Sequence, residues 1–354
     1  MQAFHPSTTL PPGPVTLTPY GLLPDGSDVP LGLSVVVPCF NEASGISELY
    51  RRLKNACREA VGDDYEIVLV DDGSTDETWR QIGALAEGDS RVVGVNLSRN
   101  HGHQLALTAG LTVCRGNRIL IIDADLQDPP ELLRKMMAVM DREEADVVYG
   151  QRISRAGESW HKRATANLFY RLLARLTDVA IPPDTGDFRL LTRRALAVLQ
   201  SMPEQHRFIR GMVAWVGFKQ LPFHYHRAER FAGTTKYPLA KMLRLAFDAI
   251  TGFSTQPLRI SLYLGLFFGS ASAALLVYTI VGWLYFRTVQ GWTSLMAVML
   301  MLGCAQMLLL GIIGEYLGRL YMQSKQRPLF VIADIVRHRH VGRASVTQSA
   351  RLAV

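Results

Sequence analysis

The chain has 354 residues and a formal net charge of +7, with 38 Lys and Arg against 31 Asp and Glu. That length allows one large domain with an appendage, or two domains, at roughly 100–200 residues each, and Cys39, Cys57, Cys114 and Cys304 lack the spacing of a disulfide framework or a zinc site. The basic excess gathers beside two uncharged runs near the C-terminus, which fits an anionic membrane surface and argues against nucleic acid as a partner.

Residues 1–30 show no basic stretch leading into an apolar run, so they do not read as a secretory signal. Pro6, Pro11, Pro12, Pro14, Pro19, Pro24 and Pro30, with little apolar content between them, cannot build a core, and the stretch reads as a disordered leader. From residue 33 to about 150 one unit repeats: a short β-branched apolar run, a polar turn, then helical periodicity. The runs are Leu33–Pro38, Glu66–Val70, Val92–Leu97, Ile119–Ile122 and Asp146–Tyr149. This alternation predicts an α/β domain with a mostly parallel sheet and helices on both faces.

The unusual polar clusters fall just past the ends of these runs: Asn41-Glu42, Asp71 to Asp76, Ser98 to Gly102, and Asp123-Ala-Asp125-Leu-Gln127-Asp128. Ligands bind open α/β sheets at that edge. Turns and helix caps account for the first three taken singly, and His101 and His103 alone read as surface histidines. In the fourth, the two-residue alternation of extended chain projects Asp123, Asp125 and Gln127 to one side, and three oxygen ligands there suit Mg²⁺ or Mn²⁺ beside a diphosphate. Asp128 before Pro129-Pro130 reads as a helix cap. The chain has neither GxGxxG nor a GxxxxGK[ST] loop, which argues against dinucleotide oxidoreductases and P-loop enzymes.

Between Trp160 and Thr177 an apolar helical pattern starts at His161-Lys162-Arg163, a basic start able to hold a lipid-linked phosphate or simply to begin an amphipathic helix. A second amphipathic stretch, 239–257, presents Leu239, Met242, Leu243, Ala246, Phe247 and Ile250 on one face, as an interfacial helix or one packed on the domain would. The uncharged runs Ile260–Phe286 and Thr288–Gly314 each exceed the roughly 20 residues needed to span a bilayer. They predict a transmembrane hairpin with helices at 258–287 and 293–318. Lys236, Lys241, Arg244 and Arg259 precede it and Arg319, Lys325, Arg327, Arg337, Arg339 and Arg343 follow it, with only Arg287 between, so the domain at 31–238 and the basic tail at 319–354 are expected on the cytoplasmic side. Gly265, Gly269 and Ala273 at four-residue spacing permit helix packing, including in a homo-oligomer. Leu329–Ile332 reads as a strand or an interfacial contact.

The four clusters, with Gly150-Gln-Arg152, Asp184-Thr-Gly-Asp187-Phe188-Arg189 and Arg230-Phe-Ala-Gly233-Thr-Thr-Lys236-Tyr237, resemble those of the family 2 inverting glycosyltransferases with a GT-A fold. More closely, Leu33 to about Leu320 resembles the polyprenyl phosphate glycosyltransferases, which include dolichol phosphate mannose synthase and bactoprenol glucosyl transferase; the two-helix anchor fits the latter. The Gln-x-x-Arg-Trp motif of processive polysaccharide synthases is absent from the sequence. The resemblance implies that Pro38, Phe40, Asn41, Glu42 and Asp72 hold the base and ribose of a nucleotide-sugar donor, while Asp123, Asp125 and Gln127 organise metal and diphosphate. It implies that Arg152 contacts phosphate, that Arg230 and Lys236 lie on a loop over the donor, and that Lys162 or Arg163, with the Thr165 hydroxyl, holds the acceptor phosphate. Asp187 orients sugar hydroxyls or the acceptor, or else only salt-bridges Arg189.

The reaction so implied is inverting transfer of a hexose, glucose from UDP-glucose first, to undecaprenyl phosphate at the cytoplasmic face of the inner membrane. The alternatives are the same chemistry with a mannose, N-acetylhexosamine or formyl-aminoarabinose donor, or a non-catalytic nucleotide-sugar-binding scaffold. A phosphate monoester is largely ionised at neutral pH, with a second pKa near 6, so no strong general base is needed.

Overall fold

The computed structural model describes residues 31–153, 185–226, 256–286 and 291–338. Strand β1 (Leu33–Cys39) is buried along its whole length, as are β2 (Tyr65–Asp71) and nearly all of β3 (Val92–Leu97), which is why these runs read as continuously apolar. Their side chains still alternate between two cores. Val35, Val37, Ile67 and Leu69 pack under α1 (Ile46–Val61), α2 (Thr78–Gly88) and α4 (Leu133–Arg142), whereas Val36, Val68 and Val70 pack under α3 (His103–Val113), α5 (Arg193–Ser201) and α6 (Ile209–Trp215). In α1 the buried residues Ile46, Leu49, Leu53, Ala56 and Cys57 recur at three- and four-residue steps, and the helix stops at Gly62, whose φ of 67° suits glycine.

Strands β4 (Arg118–Ile121), β5 (Val147–Arg152), β6 (Thr185–Thr192), β7 (Gln220–Tyr225) and β8 (Ile332–Arg337) complete an eight-stranded sheet in the order β7-β5-β6-β4-β1-β2-β3-β8. The pairs β1–β2, β1–β4, β2–β3 and β5–β7 are parallel, while β4–β6, β5–β6 and β3–β8 are antiparallel. Pro38 is buried in central β1, yet its missing N–H does no harm: β4 pairs with β1 only as far as Val36, and Pro38 comes after that point.

Two regions differ from the sequence reading. Asp184 to Arg189, read as a loop, runs as a strand from Thr185, with Phe188 and Leu190 entering one core and Leu191 the other. Asp187 and Arg189 are buried with them, and their partners lie far away in sequence, so their polarity suggested a loop. The stretch after the hairpin is not only a basic tail. Helix α8 (Trp292–Ser324) runs on to Ser324, and β8 then covers the free edge of β3, with Ile332 and Ile335 against one core and Val336 against the other.

Helices α7 (Gln256–Phe286) and α8 leave Leu262, Phe267, Leu308, Leu310 and Leu317 more than half exposed, which in water would be an apolar surface without cover. Met301–Ser324 is long and apolar enough to cross a membrane, and Leu258–Ala271 is a shorter apolar stretch. The end of α8 is tied to the sheet domain: Gln323 donates to the Pro203 carbonyl at 2.7 Å and accepts from the Gln205 amide at 3.0 Å.

Candidate active site

Strand direction decides which residues meet. Because β1 to β4 run the same way, the residues after Cys39, Asp71, Leu97 and Ile121 share one edge. Strand β6 opposes β4 and β5 opposes β6, so β5 and its parallel neighbour β7 end at that edge while β6 begins there. Arg152, Tyr225 and Thr185–Asp187 therefore join the four turn clusters.

On the β1–β2 side the turns lock to each other. Asn41, at φ 55°, accepts from the Thr75 amide at 2.9 Å, its own amide donates to the Ser74 hydroxyl, and the Glu42 amide donates to Thr78 Oγ1. Phe40 stands 45% exposed beside this lock, an apolar face open to a flat ligand. Gly73, at φ 67°, is required twice over: a Cβ there would lie 2.5 Å from the Arg99 carbonyl carbon. Asp72 is buried, and its two oxygens accept from the backbone amides of His101 at 2.7 Å and Gly102 at 2.9 Å. Its side chain fastens the β3–α3 turn, so any effect on a donor passes through that turn or through a further lone pair. Asp71 accepts from the Ser74 amide with one oxygen, while its other is buried with no partner among the described residues, and burial raises its carboxyl above the usual range.

The Asp123–Asp128 segment is a turn past the end of β4 and not extended chain. Leu126 takes a left-handed φ of 58° and enters the core, so Asp123, Asp125 and Gln127 remain partly open while Ala124, Leu126 and Asp128 are buried. The expected alternation of faces holds, but a bend at Leu126 produces it. Asp125 accepts from the Gln127 amide at 3.1 Å. Asp123 Oδ1 is buried with no hydrogen-bond partner among the described residues. Burial pushes the Asp123 carboxyl up to about 6, with His103 opposing.

His103 is no bystander on the surface. Its Nε2 lies 3.0 Å from Asp187 Oδ2 and 3.5 Å from Asp123 Oδ1, and its pKa is raised: burial opposes this, but Asp187 and Asp123 outweigh burial. Asp187 also accepts from Arg210 Nε at 2.8 Å and from Gln104 Nε2 at 3.1 Å, while Gln104 Oε1 takes the Ile209 amide. Burial disfavours the ionised Asp187 carboxyl, yet Arg210 and His103 hold it well below the usual range. The ion-pair partner is thus Arg210. Arg189 instead donates to the Gly186 carbonyl at 3.0 Å, and its own burial lowers it to about 10. His103, Gln104 and Arg210 escaped the sequence reading because no local spacing joins them to Asp187.

Asp128 does not cap the following helix: the residue before Pro130–Leu132 is Pro129, and no side-chain cap bond forms there. Its carboxylate is fully buried, accepts from the Tyr225 hydroxyl, and lies 3.6 Å from an Arg152 terminal nitrogen. Lys162, Arg163, Thr165, Arg230 and Lys236 lie outside the described residues, as do the leader and nearly all of 239–257.

The donors fit a hard divalent cation. Asp123 offers an oxygen with no hydrogen-bond partner among the described residues, 3.5 Å from His103 and in the same turn as the partly open Asp125 and Gln127. His103, Asp123 and Asp187 also bring ligand atoms within 4.8 Å of one another, but both Asp187 oxygens are engaged by Arg210, which leaves Asp123 the stronger ligand of the three.

A mixed α/β sheet with an acidic turn and Arg152 at one edge, followed by a helix long and apolar enough to cross a membrane, fits a membrane-associated glycosyltransferase of GT-A architecture. Residues 34–199 match the model for glycosyl transferase family 2, and residues 256–320 match the GtrB C-terminal hairpin. The chain belongs to glycosyl transferase family 2. It is 44% identical over 301 residues to the glycosyltransferase YkcC of Bacillus subtilis (strain 168), covering 84% of this chain and 92% of that one. It is 39% identical over 307 residues to the bactoprenol glucosyl transferase of Shigella phage SfV, covering 85% and 98%. It is 40% identical over 308 residues to the prophage bactoprenol glucosyl transferase homolog of Escherichia coli (strain K12), covering 86% and 99%.

Proposed function

We propose that the chain transfers glucose from UDP-glucose to a polyprenyl phosphate, undecaprenyl phosphate first, at the cytoplasmic face of the inner membrane. The observation that carries this reading is the point at which the membrane helix meets the sheet. Strand β8 opposes β3, so it begins at the same edge as the carboxylates, and α8 reaches that edge through Gln323 and Gln205. Helix α8 rises roughly 50 Å over its 33 residues, against about 30 Å of bilayer hydrocarbon. Its last turns, from the Glu315–Arg319 pair at 2.9 Å to Ser324, follow the uncharged run that ends at Gly314, which supports a site close to the headgroups, where a lipid phosphate lies. The relatives named bactoprenol glucosyl transferase support glucose and a polyprenyl carrier. The basic flanks of the hairpin support two spans with both flanks cytoplasmic.

In this reaction an ionised acceptor phosphate oxygen attacks the anomeric carbon as the bond to the diphosphate breaks, inverting the centre. Mg²⁺ or Mn²⁺ at Asp123, Asp125 and Gln127 would supply charge neutralisation on the leaving diphosphate. Arg152 adds a guanidinium to the same charge. Phe40 and the Asn41–Thr75 lock support the base. Asp187, fixed by Arg210, Gln104 and His103, presents a rigid acidic floor to the sugar or acceptor. Much of the acceleration comes from holding the two reactants in line.

The test is transfer of radiolabelled glucose from UDP-glucose to undecaprenyl phosphate in detergent, with and without Mg²⁺, for wild type and Asp125→Ala. Organic-extractable label requiring both the ion and Asp125 is the expected result. Label from GDP-mannose or UDP-N-acetylhexosamine alone would overturn the sugar, and no label from any donor with folded protein would overturn the enzyme reading in favour of a scaffold.

A further inference from the structure

We propose that Asp128, Tyr225 and Gly186 form a slot that aims the Arg152 guanidinium into the site, making them positioning residues for the group that holds the diphosphate. Four separate elements supply the parts: the turn after β4, the start of β6, and the ends of β5 and β7. A fully buried carboxylate such as Asp128 is costly unless paired. Helix capping does not account for it, and its partners include the Tyr225 hydroxyl and Arg152.

Tyr225 occupies the middle of the slot. Its hydroxyl donates to Asp128 and accepts from Arg152 Nε at 3.3 Å, so one oxygen fixes both the carboxylate and the guanidinium. The tyrosine is 4% exposed and its ring meets Phe188 edge-on at 5.6 Å, which leaves the hydroxyl little freedom. Gly186 closes the third side. A Cβ there would come within 2.6 Å of an Arg152 terminal nitrogen, whose position thus depends on the missing side chain. The guanidinium has five N–H groups, more than Asp128 and Tyr225 use, and the Arg152 side chain keeps 26% of its surface open. A planar fork fixed at its back and open at its front suits the oxygens of a nucleoside diphosphate.

The inference rests on the proposed reaction for the identity of its ligand, so the experiment separates the two. UDP binding and glucose-transfer kinetics are measured on the full chain in detergent for wild type, Tyr225→Phe, Gly186→Ala, Arg152→Lys and the double variant Tyr225→Phe/Arg152→Lys. Tyr225→Phe and Gly186→Ala are each expected to weaken UDP binding about tenfold, the size of one hydrogen bond to a charged group. Their melting temperatures are expected to fall by less than about 8 °C. In the Arg152→Lys background, where no Nε remains to be aimed, Tyr225→Phe is expected to cost less than about twofold more. Losses that multiply in the double variant, or wild-type UDP affinity in both Tyr225→Phe and Gly186→Ala, would overturn the slot, as would a wild type that binds no UDP. Wild type that binds UDP but transfers no sugar to a polyprenyl phosphate would overturn the reaction and leave the slot to be judged on binding.

Discussion

Replacing Asp72 by Asn separates a loop fastener from a donor ligand. Each carboxylate oxygen of Asp72 now accepts one backbone N–H, from His101 and Gly102. Asn keeps the shape but can accept at one position only. The other amide loses a bond to a charged acceptor, about 1.5–3 kcal/mol, and faces an N–H₂ group instead, a further 1–3 kcal/mol or so for an unsatisfied buried donor. Burial already raises the Asp72 pKa, so Asn also relieves some of the cost of burying a charge. Together these leave a net loss of about 2 kcal/mol, or roughly 4–8 °C in melting temperature for a domain of this size. Thermal melts of wild type and Asp72→Asn in one detergent, with and without UDP, provide the measurement. An unchanged melting temperature combined with a raised KM for the donor would refute the fastener and return Asp72 to direct contact with the base.

Gly73→Ala meets backbone at Arg99 and Asn100 and requires a left-handed residue, so a loss of at least about 2 kcal/mol is expected in denaturant titration, with weaker UDP binding. Asp89 is held low: burial opposes ionisation, but Arg91, Tyr50 and Lys54 outweigh it. A depressed folded pKa contributes stability that is present above the unfolded value near 4 and lost as pH falls through the folded one. Asp89→Asn should therefore cost about 2 kcal/mol at pH 7, and the gap to wild type should narrow below pH 4 in melts taken from pH 3 to 7. A gap independent of pH would count against the pairing. Asp123, raised to about 6 by burial, must lose its proton to hold a cation. Mn²⁺ affinity measured by calorimetry should fall by up to about tenfold per pH unit below 6, and Asp123→Asn should flatten that dependence.

The five strand runs were legible because β-branched residues buried on both faces leave an unbroken apolar signal, and the polar clusters at their ends marked the site's edge. The uncharged runs marked the helices α7 and α8 equally well. What stayed hidden depended on distance along the chain. His103 meets Asp187 across 84 residues, and Gln104 reaches Ile209 across 105, contacts that no periodicity encodes. Buried polar residues also mislead: Asp187 and Arg189 look like loop residues, although Asp187 is paired with Arg210 and Arg189 donates to the Gly186 carbonyl. Edge strand β8 was only half legible: Leu329–Ile332 reads as a strand or an interfacial contact, whereas the strand runs Ile332–Arg337, where Asp334 and Arg337 give it the polarity that exposed edges carry.

The two reversals of direction in the sheet have separate consequences. Had β6 run parallel to β4, its first residues would sit at the far edge, and Asp187 could not reach His103 or stand beside Asp123. Because it runs antiparallel, a strand's beginning joins six strands' ends, and the site gains a carboxylate fixed from below by α3 and α6. The reversal at β8 acts on a larger scale. The seven residues between Ser324 and Ile332 reach at most about 25 Å, so the helix ends within that distance of the edge where β8 begins. The antiparallel pairing with β3 makes that the site's edge, and the Ser98 amide bonding the Val331 carbonyl at 2.9 Å closes the join beside the β3–α3 turn. A parallel β8 would have begun at the opposite edge, away from the carboxylates. On the proposed reaction, the sign of one strand pairing thus decides whether an acceptor phosphate embedded among headgroups can meet a donor held in the cytoplasm.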